Sequence, residues 1–169
     1  MPTALRKLSV SDTTRVDALR IIRSHQESAP VKTVPLARDL GLAVFVSSLG
    51  EGVSGKIFKD DGGRSESGFV IYLNRAEPKV RQRFTAAHEI AHFILHREEI
   101  GDGIIDDVLY RSKLSSPVEA EANRMAADIL MPWHLIKAAN AAGMTDVEKL
   151  AGKFDVSVIA MSIRLGLPT

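Results

Sequence analysis

The feature that most constrains this chain is a helical run of apolar residues that follows Pro78. Apolar side chains recur every three or four residues, at Val80, Phe84, Ala87, Ala91 and Leu95. Because proline suits the first turn of a helix, the pattern predicts a helix from Pro78 to Leu95 that is mostly buried. A buried helix of this length needs a folded domain around it. The 169 residues, 45% of them hydrophobic, are enough to form one.

The segments around this helix predict an α+β protein with strands early and helices late. Three short stretches rich in β-branched and aromatic residues predict a small, three-stranded antiparallel sheet at 42–46, 55–59 and 68–73, with a turn at 60–63. Helical spacing, caps and prolines predict further helices at 12–28, 35–40, 116–131, 146–153 and 157–165. Residues 97–113 are expected to be a polar connection. We expect a single domain over 1–169, with a motif core at 69–133.

Composition excludes several functional classes. Lys and Arg number 22 against 21 Asp and Glu, so no whole-chain field attracts nucleic acid or an anionic membrane. The absence of cysteine excludes disulfides, thiolate metal ligands and a cysteine nucleophile. No apolar stretch has the length of a membrane span or the form of a secretory signal. We therefore expect a cytoplasmic protein without a membrane role.

The buried helix contains a pair of histidines at metal-ligand spacing, in the run His88-Glu89-Ile90-Ala91-His92. Residues four apart lie above one another on a helix, so both imidazoles can bind one zinc ion at about 2.0–2.1 Å. Glu89 would then be placed to take a proton from an attacking water and return it to the leaving amine. Chance gives this HExxH pattern about 0.01 times in such a chain. The alternative is two buried core histidines with Glu89 as a solvated charge.

A catalytic zinc site normally has a third protein ligand, and without cysteine this must be histidine, aspartate or glutamate. In the helix predicted at 116–131, Glu119 shares a face with the small and apolar residues, whereas Glu121 lies on the polar side. Glu119 is therefore the expected ligand and Glu121 the alternate. Taken alone, Glu119 is better explained by a capping box with Ser116, and it is the need of His88 and His92 for a third ligand that favours ligation. Asn123, one turn after Glu119, is expected to orient a ligating imidazole.

These motifs together resemble the ImmA/IrrE family of metallopeptidases. The resemblance is carried by residues 83–96 (RFTAAHEIAHFILH), 119–123 (EAEAN) and 126–132 (AADILMP), and it extends more weakly to the leading helix, the strand at 68–74 and residues 154–157. It implies a compact, gluzincin-like zinc peptidase of bacteria or their phages. The implied zinc ligands are His88, His92 and Glu119, and the implied catalytic residue is Glu89.

The resemblance also implies a substrate, because known members cleave a helix-turn-helix repressor of the Xre type. The expected function is thus zinc-dependent endopeptidase cleavage of a cognate Xre-type regulator or antitoxin, which relieves transcriptional repression under stress or prophage induction. The alternative is a zinc-binding antirepressor or toxin–antitoxin partner that acts by binding without proteolysis.

Other polar residues have less specific interpretations. Tyr110 and Arg111 are candidates to donate to the tetrahedral oxyanion of peptide hydrolysis. His96 continues the histidine line and could neighbour the metal, but a cation that ends the helix is the preferred interpretation. His25 and His134 have no partner at ligand spacing, and we expect both to be structural or exposed.

The C-terminal segment at 145–167 has the outline of a helix-turn-helix, with Ser157 capping the second helix. DNA binding needs cations for phosphate contacts, and this segment has few that are not balanced by carboxylates. We therefore expect these helices to pack against the domain and not to bind nucleic acid directly.

Overall fold

The computed structural model describes the backbone of residues 10–100, 104–107 and 117–169, and the side chains of 15–100 and 117–169. Within these ranges the helices are α1 Val10–Ser24, α2 Thr33–Asp39, α3 Lys79–Leu95, α4 Pro117–Leu130, α5 Trp133–Ala141, α6 Val147–Phe154 and α7 Val158–Leu165. The strands are β1 Ala43–Ser47, β2 Val53–Lys59, β3 Phe69–Asn74 and β4 Ile104–Asp107, and a 3-10 turn spans Arg97–Glu99. The predicted α+β class is confirmed.

The sheet is mixed and has the strand order β1-β3-β2-β4. The predicted hairpin of β2 and β3 is confirmed, but β1 runs parallel to β3, so the prediction of a purely antiparallel sheet is wrong. Because β2 occupies one edge of β3, β1 is left with the other, and two chain reversals make β1 and β3 point the same way. The fourth strand, β4, pairs antiparallel with β2 and lies where the sequence predicted only a polar connection.

Helix α3 lies between one face of the sheet and helix α4. The packing against the sheet includes an edge-to-face contact of Phe69 and Phe93, whose ring centroids are 5.4 Å apart. Helices α3 and α4 both carry fully buried alanines, at 86, 87, 91, 122 and 126. Small side chains allow two helix axes to approach closely. The polar residues of α3 therefore lie deep in the protein and near the first turns of α4.

Strand β2 approaches α3 closely at Gly55. A Cβ atom on Gly55 would overlap the buried Thr85 methyl group and lie 3.0 Å from the Tyr72 carbonyl oxygen. We expect Gly55→Ala to lower the free energy of unfolding by about 1–3 kcal/mol, because the helix must move off the sheet. Gly50→Ala is the matched control, since nothing lies within 4 Å of its added Cβ. Urea unfolding of both variants checks this, and equal stabilities would contradict it.

Helix α5 is not predicted by the sequence analysis, which ends the preceding helix at residue 131 and predicts no further helix before 146. In the structure Pro132 is the N-cap of α5, and the helix buries Ile136 and Ala139. The Trp133 ring is half-exposed and lies 4.7 Å from the Arg164 guanidinium carbon. Helix α4 therefore ends close to the predicted position, and helix α5 begins directly after Pro132.

The two C-terminal helices lie close to the predicted positions. The Ser157 hydroxyl accepts a hydrogen bond from the Ala160 N–H at 3.1 Å, so the predicted cap of α7 is confirmed. Arg83 of α3 donates to the carbonyl oxygens of Asp155 and Val31 at 3.0 Å each. This arginine ties the end of α6 to the helix that carries the histidine pair. In the part of the chain that the structure describes, every helix is too short or too polar to be a transmembrane segment.

Candidate metal centre

The histidine pair lies in the most deeply buried part of α3. His88, Glu89 and His92 are all at most 1% exposed. The Nε2 atoms of His88 and His92 are 3.0 Å apart, and the ring planes are nearly perpendicular. The predicted helix thus brings both imidazoles to one point, with Glu89 in the same turn.

Glu119 meets this pair from the first turn of α4. Its Oε2 atom is 3.2 Å from His88 Nε2, and its Oε1 atom is 3.3 Å from His92 Nε2. The ligand atoms of His88, His92 and Glu119 all lie within 4.8 Å of one another. Glu121 lies elsewhere, with its Oε2 atom 3.2 Å from His96 Nε2. The structure therefore brings Glu119, and not its alternate, to the two histidines. Ser116, the other partner suggested for Glu119, is outside the described residues.

Asn123 contacts the outer nitrogen of one imidazole. Its Oδ1 atom is 3.0 Å from His88 Nδ1. Because a carbonyl oxygen only accepts, His88 Nδ1 donates, and in the neutral ring the Nε2 lone pair is left facing His92 and Glu119. Nitrogen and carboxylate lone pairs that converge in this way repel one another unless a proton or a cation lies between them. This donor set fits Zn²⁺, which prefers imidazole nitrogen and carboxylate oxygen.

The electrostatics of the cluster favour the protonation states that bind a metal. Burial lowers the pKa of His92 below its usual 6.5, and the neighbouring His88 and His96 rings act in the same direction. In the metal-free protein a proton on Nε2 can take the place of the cation, and hydrogen bonds from His88 and then His92 lower the pKa of Glu119 far below its usual 4.5. At neutral pH the His92 imidazole is therefore uncharged and the Glu119 carboxylate is ionised, as metal ligands must be.

These shifts predict that the metal-free protein loses stability on acidification. Below pH 6.5 the unfolded chain protonates His92 more readily than the folded protein does, so stability falls as pH decreases. Glu119 adds a second loss of stability as pH falls below 4.5. The fold stabilises its ionised carboxylate, so the unfolded chain takes up the proton more readily. Thermal melts of chelator-treated protein from about pH 7.5 to about pH 4 check this. Glu119→Gln should reduce the loss at the acidic end, and an identical pH profile would contradict the assignment.

The other residues singled out from the sequence fall into two groups: two lie outside the described residues, and two are histidines with partners of their own. Tyr110 and Arg111 lie outside the described residues. His25 Nε2 is 2.7 Å from Asp39 Oδ2, and His134 Nε2 is 2.8 Å from the Gln26 carbonyl oxygen. Neither histidine belongs to the three-residue metal cluster.

The contacts of His96 with His92 and Glu121 are the part of the site that the sequence analysis did not predict. It is the C-cap of α3, as predicted, but its ring is buried and its Nδ1 atom lies 3.1 Å from His92 Nδ1. The available signal was the four-residue spacing that His96 continues from His88 and His92. That spacing did not reveal the partner, because Glu121 comes from another helix.

A helix with two histidines one turn apart, met by a glutamate from a second helix, is the arrangement of an HExxH metallopeptidase. The family model described as the IrrE N-terminal-like domain matches residues 37–166. The chain therefore belongs to this family, and the family implies a bound metal ion.

Two individual proteins illustrate the similarity. A stretch of 67 residues is 42% identical to the radiation response metalloprotease IrrE of Deinococcus radiodurans, and it covers 40% of this chain and 20% of that protein. A solved structure titled Mycobacterium tuberculosis transcriptional regulator superposes with a TM-score of 0.59 at 16% identity. That superposition covers 92% of this chain and 47% of the other, and it shows a shared fold alone. The matched segments thus cover less than half the length of either relative.

Proposed function

We propose that this protein is a zinc-dependent endopeptidase with one ion held by His88, His92 and Glu119. The observation that carries the proposal is the convergence of three ligand atoms within 4.8 Å, beside a buried glutamate in the same helical turn. Two imidazoles and one carboxylate are a ligand set of catalytic zinc sites, which leave a position open. The 45% exposure of the Glu119 side chain keeps one side of this cluster accessible.

The catalytic roles follow from the chemistry of each side chain. Bound zinc supplies Lewis acidity and lowers the pKa of water toward about 7. Glu89 takes the proton of the attacking water as general base and delivers it to the leaving amine as general acid. Asn123 holds the His88 ring through the contact at Nδ1. Tyr110 and Arg111 remain candidates for stabilising the oxyanion.

We further propose that the substrate is a cognate Xre-type helix-turn-helix repressor or antitoxin, cleaved in the cytoplasm to relieve repression. The support is the family membership together with the similarity of one stretch to a radiation response metalloprotease. No direct nucleic-acid contact by this chain is needed for that role.

The test combines purified protein, zinc and a candidate Xre-type regulator, which is sought first among the genes adjacent to its own. We expect one equivalent of zinc by metal analysis, and cleavage of the regulator at a discrete bond by mass spectrometry. A chelator should stop cleavage and added zinc should restore it. Zinc binding with a stable complex but no cleavage would replace the peptidase proposal with the binding-only antirepressor. Absence of zinc binding would overturn both.

A further inference from the structure

A line of polar contacts runs outward from His92, away from the candidate metal position. The Nδ1 atoms of His92 and His96 are 3.1 Å apart. His96 Nε2 then lies 3.2 Å from Glu121 Oε2. His92 and His96 are buried, whereas the Glu121 side chain is 54% exposed, so the line leads from the interior to the surface.

Each contact in this line fixes the direction of the next. An ionised carboxylate only accepts hydrogen bonds, so His96 Nε2 donates to Glu121. In the neutral ring His96 Nδ1 is then the acceptor, and His92 Nδ1 must be the donor. The lone pair of His92 is thereby placed on Nε2, the atom that faces His88 and Glu119.

We propose that His96 and Glu121 are positioning residues that set the tautomer and ring orientation of His92 for metal binding. The inference rests on the proposed metal site. The two ligand histidines have related arrangements, because a side-chain oxygen of helix α4 ends the line of contacts that starts at each outer nitrogen. Asn123 reaches His88 directly, and Glu121 reaches His92 through His96.

The local backbone explains why His96 can serve as the intermediate. As the C-cap of α3 it has φ −128° and ψ 27°, which lies outside the helical region. The His96 ring therefore does not follow His88 and His92 as a third ligand on the same helix face. Its Nδ1 atom turns instead toward the outer nitrogen of His92. The ring centroids of the two residues are 5.2 Å apart, at 53° between planes. This orientation makes His96 a partner of a ligand and not a ligand itself.

Four variants of the full chain separate hydrogen bonding from packing. His96→Phe keeps a ring but has no acceptor, and Glu121→Ala removes the carboxylate. Both should weaken zinc binding by about 10–100-fold in competition with a chromophoric chelator. His96→Asn offers a carbonyl oxygen near the former Nδ1 position, and Glu121→Gln still accepts from His96. Both should bind zinc within about threefold of the wild type.

The spectrum of the cobalt-substituted protein is the second readout. The visible bands of bound Co²⁺ report ligand geometry, so they should shift in His96→Phe and return in His96→Asn. His25→Phe is the matched control, because it removes a histidine–carboxylate pair that is not part of the cluster. Circular dichroism and thermal melting confirm that each variant is folded.

The outcomes distinguish this inference from the proposed function. If the wild type binds zinc and His96→Phe binds it equally tightly, the positioning role is wrong and the metal site stands. Equal losses in His96→Phe and His96→Asn would also overturn the inference, since packing alone would explain them. If the wild type binds no zinc, the metal proposal itself fails.

Discussion

Replacing Glu89 with glutamine is expected to reduce the cleavage rate by about 10²–10⁴-fold while zinc remains bound. The amide has nearly the same shape as the carboxylate, but it cannot take a proton from water. Glu89 is fully buried and is not among the three clustered ligand groups, so its charge is not needed to hold the metal. Single-turnover cleavage of the regulator and metal analysis of the same sample measure the two effects separately.

Glu98→Gln is the matched control for this substitution. Glu98 lies in the 3-10 turn after α3 and is exposed, so the same chemical change should leave the cleavage rate unchanged. Cleavage by Glu89→Gln at the wild-type rate would exclude Glu89 as the general base. Loss of zinc in that variant would instead indicate that Glu89 supports the ligand geometry.

The sequence predicts that His88, His92 and Glu119 come together, because helical periodicity converts directly into geometry. The spacing of His88 and His92 places both rings on one face of α3 wherever that helix packs. Glu119 lies on the helix face that carries the small and apolar residues, so its side chain is directed toward the core. There it contacts His88 and His92. The bounds of α3 and α4 differ from prediction by about one residue, because Pro78 and Pro117 mark their starts.

The parts that the sequence does not predict depend on contacts between distant segments. The parallel pairing of β1 with β3 is decided by which edge β2 leaves free, and no local pattern encodes that choice. Strand β4 is defined by its pairing with β2 and not by its own composition. His96 is visible as a spaced histidine, but its role depends on a carboxylate 25 residues away.

Replacing Glu119 with glutamine is expected to weaken zinc binding by at least about 10³-fold, which corresponds to about 4 kcal/mol. The substitution removes the anionic ligand and leaves two neutral imidazoles for a divalent cation. The pKa of Glu119 lies far below its usual value, so the wild-type carboxylate is ionised throughout the neutral range. Chelator competition at neutral pH gives the affinity of both proteins, and metal analysis gives the stoichiometry.

Glu121→Gln provides the same chemical change two residues along α4. An amide oxygen still accepts from His96 Nε2, so this variant should bind zinc nearly as tightly as the wild type. The pair therefore compares a carboxylate that touches both clustered imidazoles with one that touches only His96. A large loss in Glu121→Gln together with none in Glu119→Gln would reverse the ligand assignment. Equal losses in both would mean that negative charge near the first turns of α4, and not direct ligation by Glu119, determines the affinity.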